Sequence, residues 1–369
     1  MTPRTLTLII SCLVTLIIHQ ASRAQPPEDE VRFSEHKTMI GYRSKKRKNP
    51  DLFQGNKKKK DYFEGWYFKM VAADESEVMS FIPGISLSEK GEKQHAFIQI
   101  INGKTAETSY FSFPIDSFHF SKEKFAIRIS DNYFSKDSVH LNIQNDTAKI
   151  IGSVQISQPT QLCPDNKKRK AIMGWYRFVP FMQCYHGVVS LNHELQGHID
   201  INEKEYDFKD GVGYIEKDWG ESMPSSWIWI QSNSFEQDGT SFMLSVATIP
   251  WLGSSFTGFL GFFSHNNQSH RFGTYSKADL QITSTHADTL QIKITDKAYT
   301  FELSAYRNQA GTLIAPVNGS MDRRIAESID ATLQLTVKNQ QDSLIFNGST
   351  TVTGLEIVGD LEALRQNVK

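Results

Sequence analysis

Apolar and polar residues alternate along much of this chain, in short runs that are bounded by turn-forming residues. A period of two places alternate side chains on opposite faces of a strand, whereas long helical periods are rare here. The clearest runs predict strands at Ala96 to Ile101, Ser138 to Ile143, Gly187 to Leu191, Trp227 to Ser232, Ser241 to Ala247, Leu290 to Ile294, Ala331 to Val337 and Leu344 to Phe346. We therefore predict an all-β fold of antiparallel sheets, forming barrels or sandwiches, with one short helix from Asp360 to Gln366.

Turn dipeptides agree with this strand pattern. Asn102-Gly103, Asp238-Gly239 and Asn347-Gly348 each lie between two apolar runs. Asn, Asp and Gly tolerate the positive φ that tight hairpins require. Each dipeptide is therefore predicted to form a hairpin turn.

The chain is long enough for two domains and contains a short internal repeat. Single hydrophobic cores stop growing below about 300 residues, and this chain has 369. Aligning Trp66 with Trp227 without gaps also aligns Ser80-Phe81 with Ser241-Phe242. We predict two tandem β-barrel-like domains, residues 61–210 and 211–369, that meet at the turn-like sequence YDFKDGVG.

The N-terminus has the pattern of a targeting signal. Arg4 precedes an apolar run from Leu6 to Ile18, which is too short to span a bilayer, and small residues end at Ala24. Residues 1–24 are therefore predicted to be a signal peptide, and the protein is expected to be exported to the periplasm or secreted. Lipidation at Cys12 is left open.

Basic residues cluster between the signal peptide and the first predicted domain. Residues 25–60 contain the runs Lys45 to Lys48 and Lys57 to Lys60, although the net charge of the chain is only −1. A nucleic-acid surface would need a larger positive field and interleaved aromatic residues. We interpret this segment as a solvated lead-in and expect no nucleic-acid partner.

Cysteine and histidine spacing gives no strong sign of a metal or redox centre. After processing, Cys163 and Cys184 remain, and they form either one disulfide or two free thiols. His193 and His198 are five residues apart in a strand-like segment, which places them on opposite faces. We therefore predict neither a metal site nor a cofactor.

Aromatic and acidic residues are concentrated in three segments. They are DYFEGWYFKM from Asp61, GWYRFVPFMQCYHGVVSLNHELQG from Gly174, and GYIEKDWGESMPSSWIWIQSN from Gly213; five of the six tryptophans fall in them. In a strand from Trp227, the aromatic and amide side chains share one face and the isoleucines share the other. Such a face suits a cavity for a flat, mainly apolar molecule, although packing between sheets explains any single tryptophan equally well.

These segments, with GLEIVGDL from Gly354, resemble the conserved blocks of the tocopherol cyclase family in its bacterial branch. The resemblance implies two lipocalin-like β domains. It also implies cofactor-free closure of a chromanol ring from a prenylated benzoquinol such as dimethylphytylbenzoquinol, an isomerase reaction. The plant members carry Asn where Asp218 stands and have plastid transit peptides, so the product is left open.

Ring closure requires an acid, because a proton must reach the less substituted alkene carbon while positive charge develops at the tertiary one. A carboxyl group among aromatic side chains has a raised pKa and can donate near neutral pH. Asp218 or Glu221 is predicted to be this donor, with Glu64 as a further candidate. The expected cavity wall consists of Trp66, Trp219, Trp227 and Trp229, while Gln231, Asn233, Tyr67 or His186 orient the quinol hydroxyls.

Other interpretations of the same residues are also open. Glu216, Lys217 and Asp218 fit a salt-bridged turn at the domain junction, and Arg177 close to an acid would lower its pKa. A non-catalytic lipocalin-like carrier of a hydrophobic quinone, isoprenoid or lipid would need no acid, and a glycosidase would need paired carboxylates. We expect a monomer that binds a hydrophobic small molecule, and contact with a membrane surface is left open.

Overall fold

The structure is a computed structural model that describes residues 33–35, 41–88, 94–162, 171–237, 239–283, 289–366 and 368. The predicted signal peptide, Cys12 and Cys163 lie outside these ranges, so export, lipidation and the disulfide stay predictions. None of the helices in the described ranges combines the length and apolarity that a bilayer crossing requires.

The first sheet contains thirteen antiparallel strands from the first part of the chain. They are β1 (Phe33–Glu35), β2 (Tyr62–Val71), β3 (Val78–Leu87), β4 (His95–Asn102), β5 (Thr108–Pro114), β6 (Phe118–Ser121), β7 (Ala126–Ile129), β8 (Asn132–Ser135), β9 (Ser138–Gln144), β10 (Lys149–Ser157), β11 (Cys184–Ile201), β12 (Lys204–Asp207) and β13 (Gly211–Gly220). Their order is β1-β6-β7-β8-β9-β10-β11-β13-β2-β3-β4-β5, with β12 paired to β11. Hence β13 is central and lies between β11 and β2.

The second sheet contains ten antiparallel strands from the rest of the chain. They are β14 (Trp227–Ser232), β15 (Ser241–Trp251), β16 (Ser254–His265), β17 (Gln268–Gly273), β18 (Asp279–Ile282), β19 (Thr289–Thr295), β20 (Tyr299–Tyr306), β21 (Gly311–Val317), β22 (Ser320–Asn339) and β23 (Leu344–Val358). Their order is β17-β16-β15-β14-β23-β22-β20-β19-β18, with β21 paired to β22. The central trio is therefore β14, β23 and β22.

The predicted all-β, antiparallel architecture is confirmed, but both sheets are open. Each strand order has two end strands, β1 and β5 in one sheet and β17 and β18 in the other. The chain passes from the first sheet to the second between Gly220 and Trp227 rather than at residue 210, because β13 pairs with β2 and β11 in the first sheet. The division of the chain into domains itself stays a prediction.

Three apolar clusters follow from strand alternation. One cluster is enclosed by the first sheet, one by the second, and the third lies between the two sheets. On β14, Ile228 and Ile230 point into the core of the second sheet, whereas Trp227 and Trp229 point toward the first sheet. This is the division of faces that the sequence predicts.

The helices and turns are short. They comprise α1 (Tyr42–Lys48), α2 (Leu361–Gln366) and the 3₁₀ turns Ile115–Ser117, Gly174–Phe178 and Thr274–Ser276. The predicted C-terminal helix is thus confirmed as α2. The turn predicted at Asn347-Gly348 is wrong, because these residues lie inside β23 opposite Leu335 and Thr336.

The lead-in segment is more ordered than predicted. Tyr42, Leu52 and Phe53 are buried in the core of the first sheet, and the Phe53 ring packs against Phe118 and Phe120. The basic run of α1 remains largely exposed. The interpretation as a solvated segment therefore holds for Lys45 and Lys48 and fails for the apolar residues and for Lys46, which is half-buried and bonds to Gln54 and Asn56.

Candidate active site

Strand alternation on β13 separates its side chains into two environments. Tyr214, Glu216 and Asp218 face the space between the sheets, whereas Lys217 and Trp219 face the core of the first sheet. Neighbouring residues of a strand point in opposite directions. The charged and aromatic residues of this segment therefore serve two different sites.

A cavity of about 200 Å³ lies between the two sheets. Its walls are mainly apolar and come from both sheets, from the 3₁₀ turn at Gly174–Phe178 and from the loop before β11. A cavity of about 150 Å³ is large enough for benzene, so this space accommodates a substituted aromatic ring. Its polar side chains include Tyr67, Gln99 and all the acidic and histidine residues of the lining: His186, Glu216, Asp218, Glu327 and Glu356.

Two carboxyl groups of the second sheet form a buried pair in this wall. Glu327 on β22 lies directly opposite Glu356 on β23, and the two side chains hydrogen-bond to each other. The Tyr67 hydroxyl donates to Glu327 Oε1 over 2.7 Å, and the Trp227 indole N–H donates to Glu356 Oε2. Tyr67 belongs to the first sheet, so this pair also joins the two sheets.

Burial and mutual repulsion keep this pair protonated. Burial raises the pKa of Glu327 to about 7, against the opposing effect of the Tyr67 and Glu356 hydrogen bonds. Burial, followed by the charge of Glu327, raises the pKa of Glu356 well above its usual value. Two negative charges on carboxyl groups that hydrogen-bond to each other repel strongly, so the pair retains a proton near neutral pH.

A second charged group faces the cavity from the first sheet. His186 on β11 is the cross-strand neighbour of Asp218, and its Nδ1 lies 2.8 Å from Asp218 Oδ1. Its Nε2 lies 3.4 Å from Glu216 Oε2. Burial acts to lower the pKa of His186, but the charges of Asp218 and Glu216 raise it well above its usual value. These charges favour the imidazolium form of His186, whose Nδ1 is hydrogen-bonded to Asp218 and whose Nε2 lies beside Glu216 without a hydrogen bond in the described ranges.

The same three residues also have the spacing of a metal site. His186, Glu216 and Asp218 place potential ligand atoms within 4.8 Å of one another. Asp218 lies beside Nδ1 of the His186 ring and Glu216 beside Nε2. The arrangement is therefore compatible with a proton relay and with metal binding.

Trp229 connects the two polar groups. It lies opposite Glu356 across the β14–β23 pair, and its indole N–H donates to Glu216 Oε2 over 3.2 Å. The ring fits because Gly354 has no side chain: a Cβ there would lie 2.5 Å from Trp229 Cζ3. The aromatic wall is thus fixed between the acid pair and the imidazolium group.

Five of the predicted site residues line the cavity. They are Tyr67, His186, Asp218, Trp227 and Trp229. Arg177 lies over the Phe178 ring, and within the described ranges no ion pair joins it to an acid. Its predicted interference with an acid therefore finds no contact in this structure.

Trp66, Trp219 and Glu64 belong to another site, which corrects the predictions that the two indoles line the cavity and that Glu64 donates a proton there. They share the inner face of the first sheet, where the Lys217 ammonium lies 4.9 Å from the Trp66 ring centroid and 4.8 Å from that of Trp219. Glu64 forms a buried ion pair with Lys217. These indoles already surround a cation of the protein itself, because they alternate with the cavity-facing residues of β2 and β13.

Glu64 also holds the lead-in segment in place. Its carboxylate accepts the backbone N–H groups of Gln54 and Gly55 at 2.9 Å and 3.0 Å, and the Tyr62 hydroxyl at 2.5 Å. These donors and Lys217 occupy both oxygens of the Glu64 side chain. The structure therefore gives Glu64 a structural role rather than that of a proton donor.

The remaining predicted residues also lie outside the cavity wall. The Glu221 side chain is exposed beyond the end of β13. Gln231 accepts Lys69 Nζ at 3.2 Å and donates to Asn233, which in turn donates to Asn192 and to the Gly213 carbonyl, each at 2.9 Å. The two amides thus connect the sheets instead of facing a ligand, which corrects their predicted role.

Sequence reasoning missed the three buried glutamates, Glu216, Glu327 and Glu356. Glu216 carried a signal, since it is two residues from Asp218 and shares its strand face. Glu356 lies in the GLEIVGDL block, whereas Glu327 lies in unremarkable strand sequence, and only the pairing of β22 with β23 brings the two together.

Comparison with protein families gives one clear result. The family model described as tocopherol cyclase-like matches residues 120–359. This range includes β11, β13, β14, β22 and β23, and hence every cavity carboxyl group. Tyr67, which donates a hydrogen bond to Glu327, precedes the matched range.

Individual relatives are more distant. A 68-residue stretch is 29% identical to a probable chloroplastic tocopherol cyclase of Oryza sativa and to the chloroplastic tocopherol cyclase of Zea mays. The alignments cover 18% of this chain and 14% of each relative. Among solved structures, CghA is 8% identical with a TM-score of 0.49, over 81% of this chain and 89% of that protein.

Proposed function

The chain belongs to the tocopherol cyclase-like family, and from that premise we propose that its cavity cyclises a prenylated benzoquinol to a chromanol by acid catalysis. The observation that carries this proposal is the Glu327–Glu356 pair, two adjacent carboxyl groups with raised pKa values in an aromatic, mainly apolar cavity. A carrier would gain nothing from such a pair, because burying carboxyl groups costs free energy.

Glu356 supplies the proton in this scheme. Its carboxyl group transfers a proton to the less substituted carbon of the first prenyl double bond, and positive charge develops at the tertiary carbon. The rings of Trp227, Trp229 and Tyr67 lie around the acid pair, and each desolvated ring face can stabilise a cation by about 2 kcal/mol. The carboxylate left on Glu356 retains the hydrogen bond from Trp227.

The imidazolium group binds the reacting phenol in this scheme. The quinol oxygen attacks the tertiary carbon to close the ring, and its proton passes to Asp218, the more exposed carboxylate beside His186. One proton is consumed at carbon and one is released at oxygen, so substrate and product are isomers. The proton returns from Asp218 to Glu356 between turnovers, and the steps need no redox cofactor.

Incubation of the purified protein with dimethylphytylbenzoquinol, followed by chromatography for the chromanol, tests the proposal. Wild type is expected to convert the quinol, and Glu356→Gln is expected to lower kcat/KM by between about 100-fold and 10,000-fold, the usual contribution of a general acid. The amide keeps the shape and the Trp227 hydrogen bond, so the fold is expected to persist.

Glu302→Gln is the matched control, since Glu302 lies on the surface of the same sheet in an exposed ion pair with Lys293. It is expected to retain full activity. If Glu356→Gln turned over at the wild-type rate, Glu356 would not be the acid. If wild type bound the quinol and released it unchanged, the protein would be a carrier.

A further inference from the structure

Large apolar side chains are exposed around one end of the cavity. Five residues, which we call the rim, expose 56%, 51%, 100%, 42% and 91% of their surface: Trp175, Phe178, Phe181, Trp251 and Leu252. The remaining exposed large apolar residues of the described ranges are Tyr306, Val317, Leu344 and Ile345. Both exposed tryptophans of those ranges therefore belong to the rim.

Every rim residue is joined by a short segment to the cavity wall. Trp175 and Phe178 flank the wall residue Tyr176, Phe181 precedes the wall residue Met182, and Trp251 and Leu252 follow the wall residue Pro250. No rim residue is more than two positions from a wall residue, a distance of about 7 Å along an extended chain.

Neighbours of both rim segments line the same cavity. The 3₁₀ turn that carries Trp175 contacts the 3₁₀ turn at Thr274–Ser276, and Tyr176 and Tyr275 both line the cavity. Phe256 and Ile249, which are paired partners in the β15–β16 hairpin, line it as well. The rim residues therefore adjoin one cavity rather than forming two unrelated surface patches.

We propose that the rim docks on a lipid bilayer, so that an apolar ligand enters the cavity directly from the membrane. Phe181 and Leu252 lie at turns with φ of 63° and 48°, so they project as separate tips. Indoles favour the membrane–water interface. A protein partner seated on the rim would close the opening, whereas a bilayer continues the apolar path from lipid into the cavity.

Cavity size supports the same partner, in an argument that rests on the proposed function. The space of about 200 Å³ holds a quinol ring but not a long prenyl tail as well. The tail must then extend past the opening. If the protein were free in water, the prenyl tail would be exposed to solvent, whereas at a docked rim the tail stays in lipid.

Co-sedimentation with vesicles of phosphatidylcholine and phosphatidylglycerol in equal amounts tests the docking. Phe181→Asp combined with Leu252→Asp is expected to lower the partition coefficient by about tenfold or more, because two fully exposed apolar tips no longer enter the lipid. Leu344→Asp combined with Ile345→Asp is the matched control and is expected to bind as wild type does, since those residues are not near the cavity wall. The apolar run Leu6 to Ile18 is common to all three proteins.

A position-specific readout complements partitioning. Vesicles with brominated acyl chains are expected to quench the fluorescence of Trp175 and Trp251, and the double substitution of both by Phe is expected to remove the quenching. The other four tryptophans are buried, at 0% to 9% exposure, and should contribute little. Quenching that survived this substitution would place another surface against the lipid.

Two results would overturn the docking proposal. One is equal partitioning of wild type and the rim variant; the other is a concentration-dependent dimer in analytical ultracentrifugation that the rim variant abolishes, which would identify a second copy as the occupant. Turnover of quinol in detergent micelles scores the cyclase proposal separately. A rim variant that is active in micelles and inactive with vesicles supports docking. If wild type is inactive in both, the cyclase proposal fails and the partition measurement alone decides the docking proposal.

Discussion

At the scale of single residues, the site depends on how each carboxyl group is surrounded. Glu64 is fully buried, yet it has an ammonium, a hydroxyl and two backbone N–H donors. Glu327 is buried to the same degree and Glu356 is half-buried; the two face each other, and in the described ranges Lys69 acts on Glu327 through its charge without forming an ion pair. The first environment stabilises an anion and the second stabilises a shared proton.

The pH dependence of turnover should report the acid pair. The scheme requires a proton on Glu356, whose pKa is raised, so kcat/KM should hold through neutral pH and fall as pH rises through that raised pKa. The charge of Glu327 contributes to the raised value. Glu327→Gln should therefore move the alkaline limb to lower pH.

The measurement is a pH profile of kcat/KM for wild type, Glu327→Gln and the surface control Glu302→Gln. The control should leave the limb where it is. A purely structural Glu327 would lower activity at every pH without moving the limb, and that result would contradict the assignment.

At the scale of elements, strand alternation decides which residues can cooperate. Trp66 and Tyr67 are adjacent in sequence but contribute to opposite faces of β2, and Asp218 and Trp219 do the same on β13. The inner face of these two strands forms the Glu64–Lys217 pair, which binds the lead-in segment through Gln54, Gly55 and the Leu52 carbonyl. One pair of strands thus supports the cavity and anchors an N-terminal element.

Breaking the Glu64–Lys217 pair should destabilise the protein strongly. Glu64→Gln leaves the Lys217 ammonium buried and unpaired, which typically costs about 3–5 kcal/mol in the free energy of unfolding. Lys217→Met alone should cost a similar amount, and the double variant should lose less than the sum. Urea unfolding of wild type, the two single variants and the double variant measures the coupling free energy between the two side chains. Strictly additive losses would show that the two charges do not depend on each other.

At the scale of the whole molecule, the site lies between two sheets that are each built on their own core. The acid pair comes from the second sheet, and the imidazolium group comes from the first. Contacts across the gap position them: Tyr67 to Glu327, Trp229 to Glu216, and the amide chain through Gln231 and Asn233. The relative placement of the sheets therefore sets the distance between acid and phenol site.

Removing an amide from this chain should weaken the joint between the sheets. Asn233→Ala leaves the buried Gly213 carbonyl and the Asn192 side chain without their partner, and this should lower the free energy of unfolding by about 1–3 kcal/mol. Asn308→Ala removes a comparable bond from an exposed position and should change it by less than about 0.5 kcal/mol. Equal losses in the two variants, measured by urea unfolding, would show that the amide chain does not hold the sheets.

Residue patterns along the chain were enough to predict the main strand runs, their two faces and the aromatic character of one wall, because a period of two is a local property of each strand. They also brought Asp218, His186, Trp227 and Trp229 forward, since these lie in dense aromatic and acidic segments. The acid pair becomes visible only in the folded protein. Glu327 and Glu356 meet because β22 pairs with β23, and Glu216 reaches them because two sheets pack face to face. A carboxyl group acquires a raised pKa from its neighbours in space, and those neighbours are set by pairing over long separations in the chain.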